Sequence, residues 1–413
     1  ARFPRRWTTV HSMPPYRWRS APIREPVQIV EIDVDFCALT FGIGACTAAL
    51  GGAVVRKCFN TTATCAARDA LDLGPLTLRF IQPRAVMPIG ATYFPCLDSA
   101  DGRSATVNIA GSDDDLYPLG KRATATVRLR DFPYHDRLTD KYQAGRVDGT
   151  AQTDEGGYDP ASRGTFFTKL RSRWPFYAGR PLRVIDAYID GGVISTPTTR
   201  HYIITDMLVD GSGGVTIEAK DVLDLADNSR AQAPQTSGGT LAADLASDGT
   251  ILTLSPAGIG ALQYPASGFA CIGSEIVSYT RTGDVVTLTA RGVSGSTVAS
   301  HSADDTFQQT FSPRRERIDS VIKRLLVDYA GVPAAYIPWA KWQAEVTRWA
   351  PTLRLTADIT KPEGVAKLIG EMAVLGISIW WDETAQEIGL KMNRPPDTDV
   401  VKLLTDDANL KSV

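Results

Sequence analysis

The chain has 413 residues, 43% hydrophobic and 22% charged, enough for two or three globular domains with buried cores. Its formal net charge is −2, which argues against a generally basic field of the kind that holds nucleic acid without regard to sequence. No apolar run approaches the length of a membrane helix; the stretch GIGACTAALGGAVV is short, small-residue and interrupted by glycines. With 35 glycines and 25 prolines, many at turn-like positions, the composition favours a β-rich fold with many connections.

Residues 1–30 are basic and aromatic but lack the apolar centre of a signal peptide. They read as an extended arm that docks on a neighbouring chain, with a plain flexible tail as the alternative. The segment 31–103 carries four of the six cysteines, Cys37, Cys46, Cys58 and Cys65, spaced C-x8-C-x11-C-x6-C. Around them the text is loop-like, rich in Gly, Ala and Thr, and poor in material for a core. Such a segment needs a staple, either a metal centre or disulfides. Structural zinc favours short C-x2-C knuckles, which are absent here. Two disulfides would suit a secreted protein, and nothing else in the chain reads as secreted. An iron–sulfur cluster of the [4Fe-4S] type needs four convergent thiolates and tolerates varied loops between them. The residues favour the cluster and leave disulfides and zinc open. Cys96 and Cys271 stand alone and read as small hydrophobes in or near strands.

Strands are expected at Ala105–Ile109 and Ala123–Leu129, where branched or apolar residues fall at every second position. Phe166, Phe167, Leu170 and Trp174 fall at helical spacing and end at Pro175. PLRVIDAYID, RHYIITDMLVD and GVTIEAKD read as further strands, the last two joined as a hairpin through Asp210-Gly211-Ser212-Gly213-Gly214. QTSGGT reads as a linker into a Ser/Thr/Gly-rich module of five or six short strands, with a hairpin turn at Thr282-Gly283-Asp284. Ile318, Val321, Ile322, Leu325, Leu326 and Tyr329 then mark an amphipathic helix stopped by Gly331 and Pro333. A second helix is expected from a capping box at Thr360-Lys361-Pro362-Glu363, with Val365, Leu368, Ile369, Met372 and Leu375 on its apolar face. A strand–turn–strand pair follows, turning at Thr384-Ala385-Gln386. The sequence stops at Val413 within what reads as structured text, which leaves a continuation open.

No constellation in the sequence warrants an active site. The four histidines, His11, His135, His201 and His301, are far apart, and each reads more readily as structural than catalytic. His135 beside Asp136 offers at most half of an acid–base pair. No G-x-S-x-G, H-E-x-x-H or phosphate-loop pattern occurs. Asp113-Asp114-Asp115 lacks the spacing of a calcium loop and reads as a solvated turn, as does Asp382-Glu383. Trp339, Trp342, Trp349, Trp380 and Trp381 are expected in core and subunit-interface packing rather than in a sugar platform.

These residues carry a family resemblance. The outer spacings C-x8-C and C-x6-C resemble the cysteine-rich domain of the minor tail protein L of lambda-like phages, which holds an iron–sulfur cluster; the middle loop is shorter here. KCFNTTATC followed by LTLRF, and RDFPYHDR, GRPLRV, RHYII and AKDVLDLADNSRAQAP between about 104 and 234, resemble tail-tip (baseplate) hub proteins of long-tailed phages and gene-transfer particles. The resemblance implies an iron–sulfur cluster on Cys37, Cys46, Cys58 and Cys65. It also implies a non-enzymatic hub that closes the tail tube, anchors the receptor-binding apparatus and lets tape-measure protein and DNA leave. The implied setting is the virion tail tip, assembled in the host cytoplasm. The implied partners are two further copies in a homotrimer, the distal tail protein, the tape-measure protein and central fibre or receptor-binding proteins. DNA would pass only in transit, with no stable membrane insertion. An iron–sulfur redox enzyme and a tail-associated cell-wall hydrolase are the rival classes.

The expected fold is a β-rich α+β, multidomain chain. A docking arm at 1–30 and a cysteine-rich iron–sulfur segment at 31–103 precede a first tube-like β-barrel hub domain at 104–235. An inserted small β-module at 236–311 and an incomplete second hub domain at 312–413 complete it. Trp339, Trp342, Trp349 and the arm are the expected trimer interface.

Overall fold

The computed structural model describes residues 25–48, 58–107, 119–134 and 164–393. The chain is β-rich and divides into two compact units, one of residues 1–102 and 125–219, the other of residues 103–124 and 220–413.

In the first unit, VQIVEIDVDF alternates apolar and acidic residues, and this sets β1 (Glu25–Cys37), with Val30, Ile32 and Val34 buried on one face. The strands β2 (Leu73–Ile81), β3 (Phe94–Pro95), β4 (Leu97–Arg103), β5 (Thr124–Arg130), β6 (Pro181–Asp190), β7 (Val193–Val209) and β8 (Gly214–Lys220) join it. They form one eight-stranded sheet in the order β3-β2-β1-β6-β7-β8-β5-β4. Its two edge strands, β3 and β4, are consecutive in the chain and separated only by Cys96, so the sheet curls enough to bring these edges close at that point. Gln28 of β1 ties the seam: its side-chain amide donates to the Ala100 carbonyl (3.2 Å) and accepts the Ala100 N–H (3.0 Å). The helix α1 (Phe166–Arg173) closes the core, with the Phe166 ring against those of Phe94, Tyr134 and Phe132 at centroid distances of 4.6, 4.9 and 5.2 Å. No cap bond comes from Thr165 at its start; Asp131 Oδ1 accepts the Phe167 N–H instead (3.0 Å).

The opposite face of β1 carries Glu31, Asp33 and Asp35. Glu31 accepts from Arg79 (2.9 Å) and from Arg183 (2.8 Å), Asp33 from Arg183 and Thr77, and Asp35 pairs with Arg180. Burial works against the Asp33 charge, but the hydrogen bonds from Arg183 and Thr77 outweigh it and hold the carboxyl below its usual range. His201 lies opposite Arg183 in register; burial, and then the neighbouring guanidinium, push its pKa down.

The second unit opens with the one-turn α2 (Asp224–Asp227) and β9 (Gln232–Ala233). A six-stranded sheet follows: β10 (Thr240–Leu241), β11 (Ile251–Ser255), β12 (Ser267–Ile272), β13 (Glu275–Thr282), β14 (Val285–Ala290) and β15 (Phe307–Gln309), with α3 (Ile259–Gln263) between β11 and β12. The order β10-β11-β14-β13-β12-β15 nearly closes into a barrel, because Leu241 N–H donates to Asp305 (3.0 Å) and Phe307 N–H to Gly239 (2.9 Å). It has a core of its own, among it Leu254, Ile272, Val277, Tyr279, Val286 and Phe307. One charge network is buried in it. Glu275 accepts from Arg291 on both oxygens (2.9 and 2.7 Å), lies 2.8 Å from His301 Nε2, and takes the Ala299 N–H (3.1 Å).

Beyond the barrel come β16 (Glu316–Arg317), α4 (Ile318–Arg324), α5 (Trp339–Trp349), β17 (Arg354–Leu355), β18 (Glu363–Gly364), α6 (Val365–Ala373), β19 (Ile377–Asp382) and β20 (Glu387–Met392). The Ile318–Tyr329 helix is continuous, with its last turn widened to π spacing from Leu325. The β19–β20 hairpin places Trp380 opposite Gly389, where a Cβ would meet the indole at 2.4 Å, so a larger residue there would have to displace the ring. Among the described residues no helix is long and apolar enough to cross a membrane.

Several expectations change. Residues 104–107 are not strand, and Ile109 lies outside the described residues. The capping box at Thr360–Glu363 does not form: Glu363 and Gly364 pair with Ala233 and Gln232, the helix starts at Val365, and its first N–H donates to Ala231 (2.9 Å). The expected boundary at 103/104 runs through one sheet, because β1 and β2 pair with each other and β1 pairs with β6. Residues 312–393 form helices, short strand pairs and a hairpin rather than a second barrel. Trp342 is no surface group: it is 1% exposed, and its Nε1–H donates to the Ile388 carbonyl (2.8 Å). Residues 25–30 of the expected docking arm are instead the start of β1, paired with β6 in the sheet, while residues 1–24 of that arm and the tail at 394–413 lie outside the described residues.

Candidate metal centre

Cys37 is the last residue of β1, paired with Leu73 at the start of β2, so the chain from 38 to 72 is an excursion anchored at both ends on one strand pair. Positions 27, 29, 31, 33, 35 and 37 share a face, which places the Cys37 side chain at the end of the acidic row of β1. Trp174 braces this end by donating Nε1–H to the Asp35 carbonyl (2.6 Å).

Asn60 organises the excursion. It adopts a left-handed conformation at φ +60°, which asparagine tolerates better than most residues, and is 2% exposed. Its carbonyl accepts the Cys37 N–H (2.7 Å), and its side-chain amide donates to the carbonyls of Cys37 (2.8 Å) and Leu39 (3.1 Å). Its own N–H points at Cys58 Sγ (3.3 Å). The following residues form a tight turn: Thr64 N–H donates to the Thr61 carbonyl (3.2 Å), and Thr64 Oγ1 accepts the Phe59 N–H (3.0 Å). The Arg173 guanidinium lies 3.8 Å from the centre of the Phe59 ring. On the other limb, Gly42 and Gly44 take positive φ, and Cys46 N–H donates to the Ile43 carbonyl (3.3 Å).

The result gathers the cysteines. Cys37, Cys46, Cys58 and Cys65 all line one small cavity, together with Leu39, Phe41 and Asn60. None of the four is disulfide-bonded in the structure. Among the described residues no group of three or more Cys, His, Asp or Glu side chains is placed to hold a metal ion as it stands. The donor set nevertheless suits a soft metal centre. Four cysteines line one space, one of their sulfurs receives a backbone N–H of the kind that stabilises a thiolate, and the buried Asn60 Oδ1 has no hydrogen-bond partner among the described residues.

The other candidates fall elsewhere. Cys96 is the buried joint between β3 and β4; burial, and then Asp131 and Asp98, push its thiol up to about 12. Cys271 is buried in β12, with its thiol 3.7 Å from the Thr360 carbonyl. His301 is absorbed by Glu275, and His201 stands in the charged row of the sheet. Asp382 Oδ1 caps its own turn by accepting the N–H groups of Thr384 (3.0 Å) and Ala385 (2.8 Å). Trp381 is buried edge-on to Tyr336 (5.3 Å) and Lys323 sits 4.5 Å from the Trp339 ring centre, so the tryptophans make no common platform. His11, His135, Asp136 and Asp113–Asp115 lie outside the described residues. Asn60 was not marked by spacing, though an asparagine between two of four cysteines, ahead of a Thr-Thr turn, is a signal that could have singled it out.

No protein-family model matches the chain, and no curated protein matches it either. The functional reading therefore rests on the residues themselves.

Proposed function

We propose that this chain is a non-enzymatic structural hub of a phage-type tail tip, with an iron–sulfur cluster on Cys37, Cys46, Cys58 and Cys65. The observation that carries the reading is that those four cysteines line one cavity, on a stretch of chain mounted between adjacent strands of an eight-stranded sheet. The resemblance of KCFNTTATC and of the 104–234 segment to tail hubs supplies the biological role. When bound, the cluster supplies cross-links through thiolate bonds to a segment that has little core of its own. Cys37 would hold it to the sheet, Cys58 and Cys65 would bring in the Thr61–Thr64 turn, and Cys46 would bring in the glycine limb. In this reading three copies close the tail tube, against the distal tail protein above and the central fibre or receptor-binding proteins below. The tape-measure protein and DNA leave through the channel.

Two measurements test it. Anaerobically purified protein should be brown and carry near-stoichiometric iron and acid-labile sulfide; one equivalent of zinc, or intact disulfides without metal, would end the cluster assignment. A reconstruction of the tail tip should show three copies round one channel, and a monomer on the outside of the tail would end the hub assignment.

A further inference from the structure

The second unit contains a cavity of about 970 Å³. Five cationic side chains reach it from four separate stretches of chain: Arg103, Lys121, Arg122, Lys220 and Lys367. The decisive residue is Arg122. Its side chain is 9% exposed, its Nε–H donates to Asp227 (2.7 Å) and its Nη1 stands 3.9 Å from Asp221. Its Nη2 is buried and has no hydrogen-bond partner among the described residues. A guanidinium nitrogen without an acceptor costs free energy, and the Arg122 residue that carries it stands in the wall of a cavity lined by four further cationic residues.

The carboxylates here are already committed. Asp221 accepts the N–H groups of Ala123 (2.8 Å) and Leu223 (3.0 Å), and Asp224 pairs with Lys220 (2.7 Å). Lys367 pairs with Glu363 (3.0 Å). The Lys220 and Lys367 pairs are partly exposed, at 43% and 57% for the lysines, and such pairs are weak enough to re-partner with a stronger acceptor. A carboxylate offers two oxygens in one plane and is satisfied by a single guanidinium edge. A phosphate offers oxygens in several directions and suits donors converging from separate segments.

We propose that this cavity binds a phosphate-bearing ligand, with Arg122 as the buried donor and Lys121, Lys220 and Lys367 round it. The site is independent of the cysteine centre and of the hub reading.

Calorimetric titration of the full chain with inorganic pyrophosphate, and with citrate as a carboxylate of comparable charge, tests it. Pyrophosphate should bind at one site per chain, and citrate about tenfold more weakly or less. Arg122→Gln should weaken pyrophosphate about tenfold or more. Because Arg122 also holds Asp227, the exposed pair Lys121→Gln/Lys367→Gln serves as a second variant; it should weaken binding and flatten its salt dependence with the melting profile unchanged. Glycerol 3-phosphate and phosphatidylglycerol vesicles then separate the sources. Saturable binding of the first assigns a soluble phosphoester, and vesicle capture competed by pyrophosphate assigns a lipid headgroup. No saturable binding of pyrophosphate, equal binding of citrate, or binding untouched in both variants would overturn the proposal.

Discussion

Asn60 holds the Cys37 residue from both sides: its carbonyl takes the Cys37 N–H at 2.7 Å while its side-chain amide donates to the Cys37 carbonyl at 2.8 Å. The same residue directs its N–H at Cys58 Sγ, so one buried asparagine sets the relative position of two cysteines 21 residues apart.

That arrangement separates two contributions. Asn60→Gly keeps the positive φ and the backbone N–H to Cys58 but loses both side-chain bonds; Asn60→Ala loses the bonds and adds strain at φ +60°. Each lost buried hydrogen bond costs about 1 kcal/mol net, and the strain about 1 kcal/mol more. Amide exchange across 38–72 should therefore speed up in both variants, more in Asn60→Ala, with β1 and β6 still protected. Equal protection in all three proteins would show that Asn60 does not organise the loop.

Glu275 gives the barrel of the second unit a defined acid limit. Burial opposes its charge, but the hydrogen bonds from Arg291, His301 and the Ala299 N–H prevail and hold its carboxyl at about 2 against an ordinary 4.5. A depressed carboxyl stabilises the folded state fully above about pH 4.5, and that stabilisation is lost as pH falls through about 2. The Glu275→Gln variant leaves Arg291 buried beside a neutral amide and should cost about 3–5 kcal/mol at pH 7. Thermal scans of the full chain should show the wild-type and variant transitions converge as pH drops from 5 to about 2. A constant gap over that range would contradict the assignment.

Trp342 belongs to the core of the helical part rather than to an interface. Its indole is 1% exposed, and its N–H is matched by the Ile388 carbonyl of β20. Trp342→Ala should destabilise the second unit by about 3–5 kcal/mol, and Trp342→Phe by less, with the lost hydrogen bond leaving the Ile388 carbonyl unmatched. Denaturant melts of the isolated chain measure this directly; a variant that melts like the parent and only fails to self-associate would restore the interface role.

What the sequence made legible follows from local chemistry. The Val193–Lys220 hairpin was readable because Asp210 and its glycines form a turn that accepts three bonds on one carboxylate oxygen, from Ser212 N–H, Ser212 Oγ and Gly214 N–H. The Ile318–Tyr329 and Val365–Ala373 helices were readable from their apolar spacing, since Val321, Ile322, Leu325, Val365 and Leu368 are all buried. β1 was lost because Cys37 drew the preceding residues into a loop reading, although Val30, Ile32 and Val34 alternate with acids. The capping box failed for a long-range reason: Glu363 was claimed by Ala233, 130 residues earlier in the chain. The four cysteines stood out by their spacing, whereas Asn60 and the Arg122 cavity depend on contacts that no local pattern encodes.

The barrel formed by residues 240–309 should be dispensable to the folding of the rest. Its core residues run from Leu241 to Phe307, and its ends lie side by side: Gln309 N–H donates to Ser237 Oγ (3.0 Å) and Ser237 N–H to Gln308 Oε1 (3.0 Å). A chain cut after Ser237 and resumed at Gln309 therefore needs no bridging segment. Named contacts that would be lost include Arg314 over the Phe269 ring (4.6 Å), Arg314 to Ser294 (3.2 Å) and the Cys271 thiol to Thr360. Arg314 keeps its bonds to Asp358 and to the Ala357 carbonyl, and the Phe311–Ile359 bridge stays within the retained chain. Deleting 238–308 removes none of the eight tryptophans and should thus yield soluble protein with their near-ultraviolet signature and with the Trp342 core intact. Its melting profile should lack only the transition that Glu275→Gln displaces in the parent. Insoluble protein on deletion, with the parent soluble under the same conditions, would show that the barrel is part of the structural core.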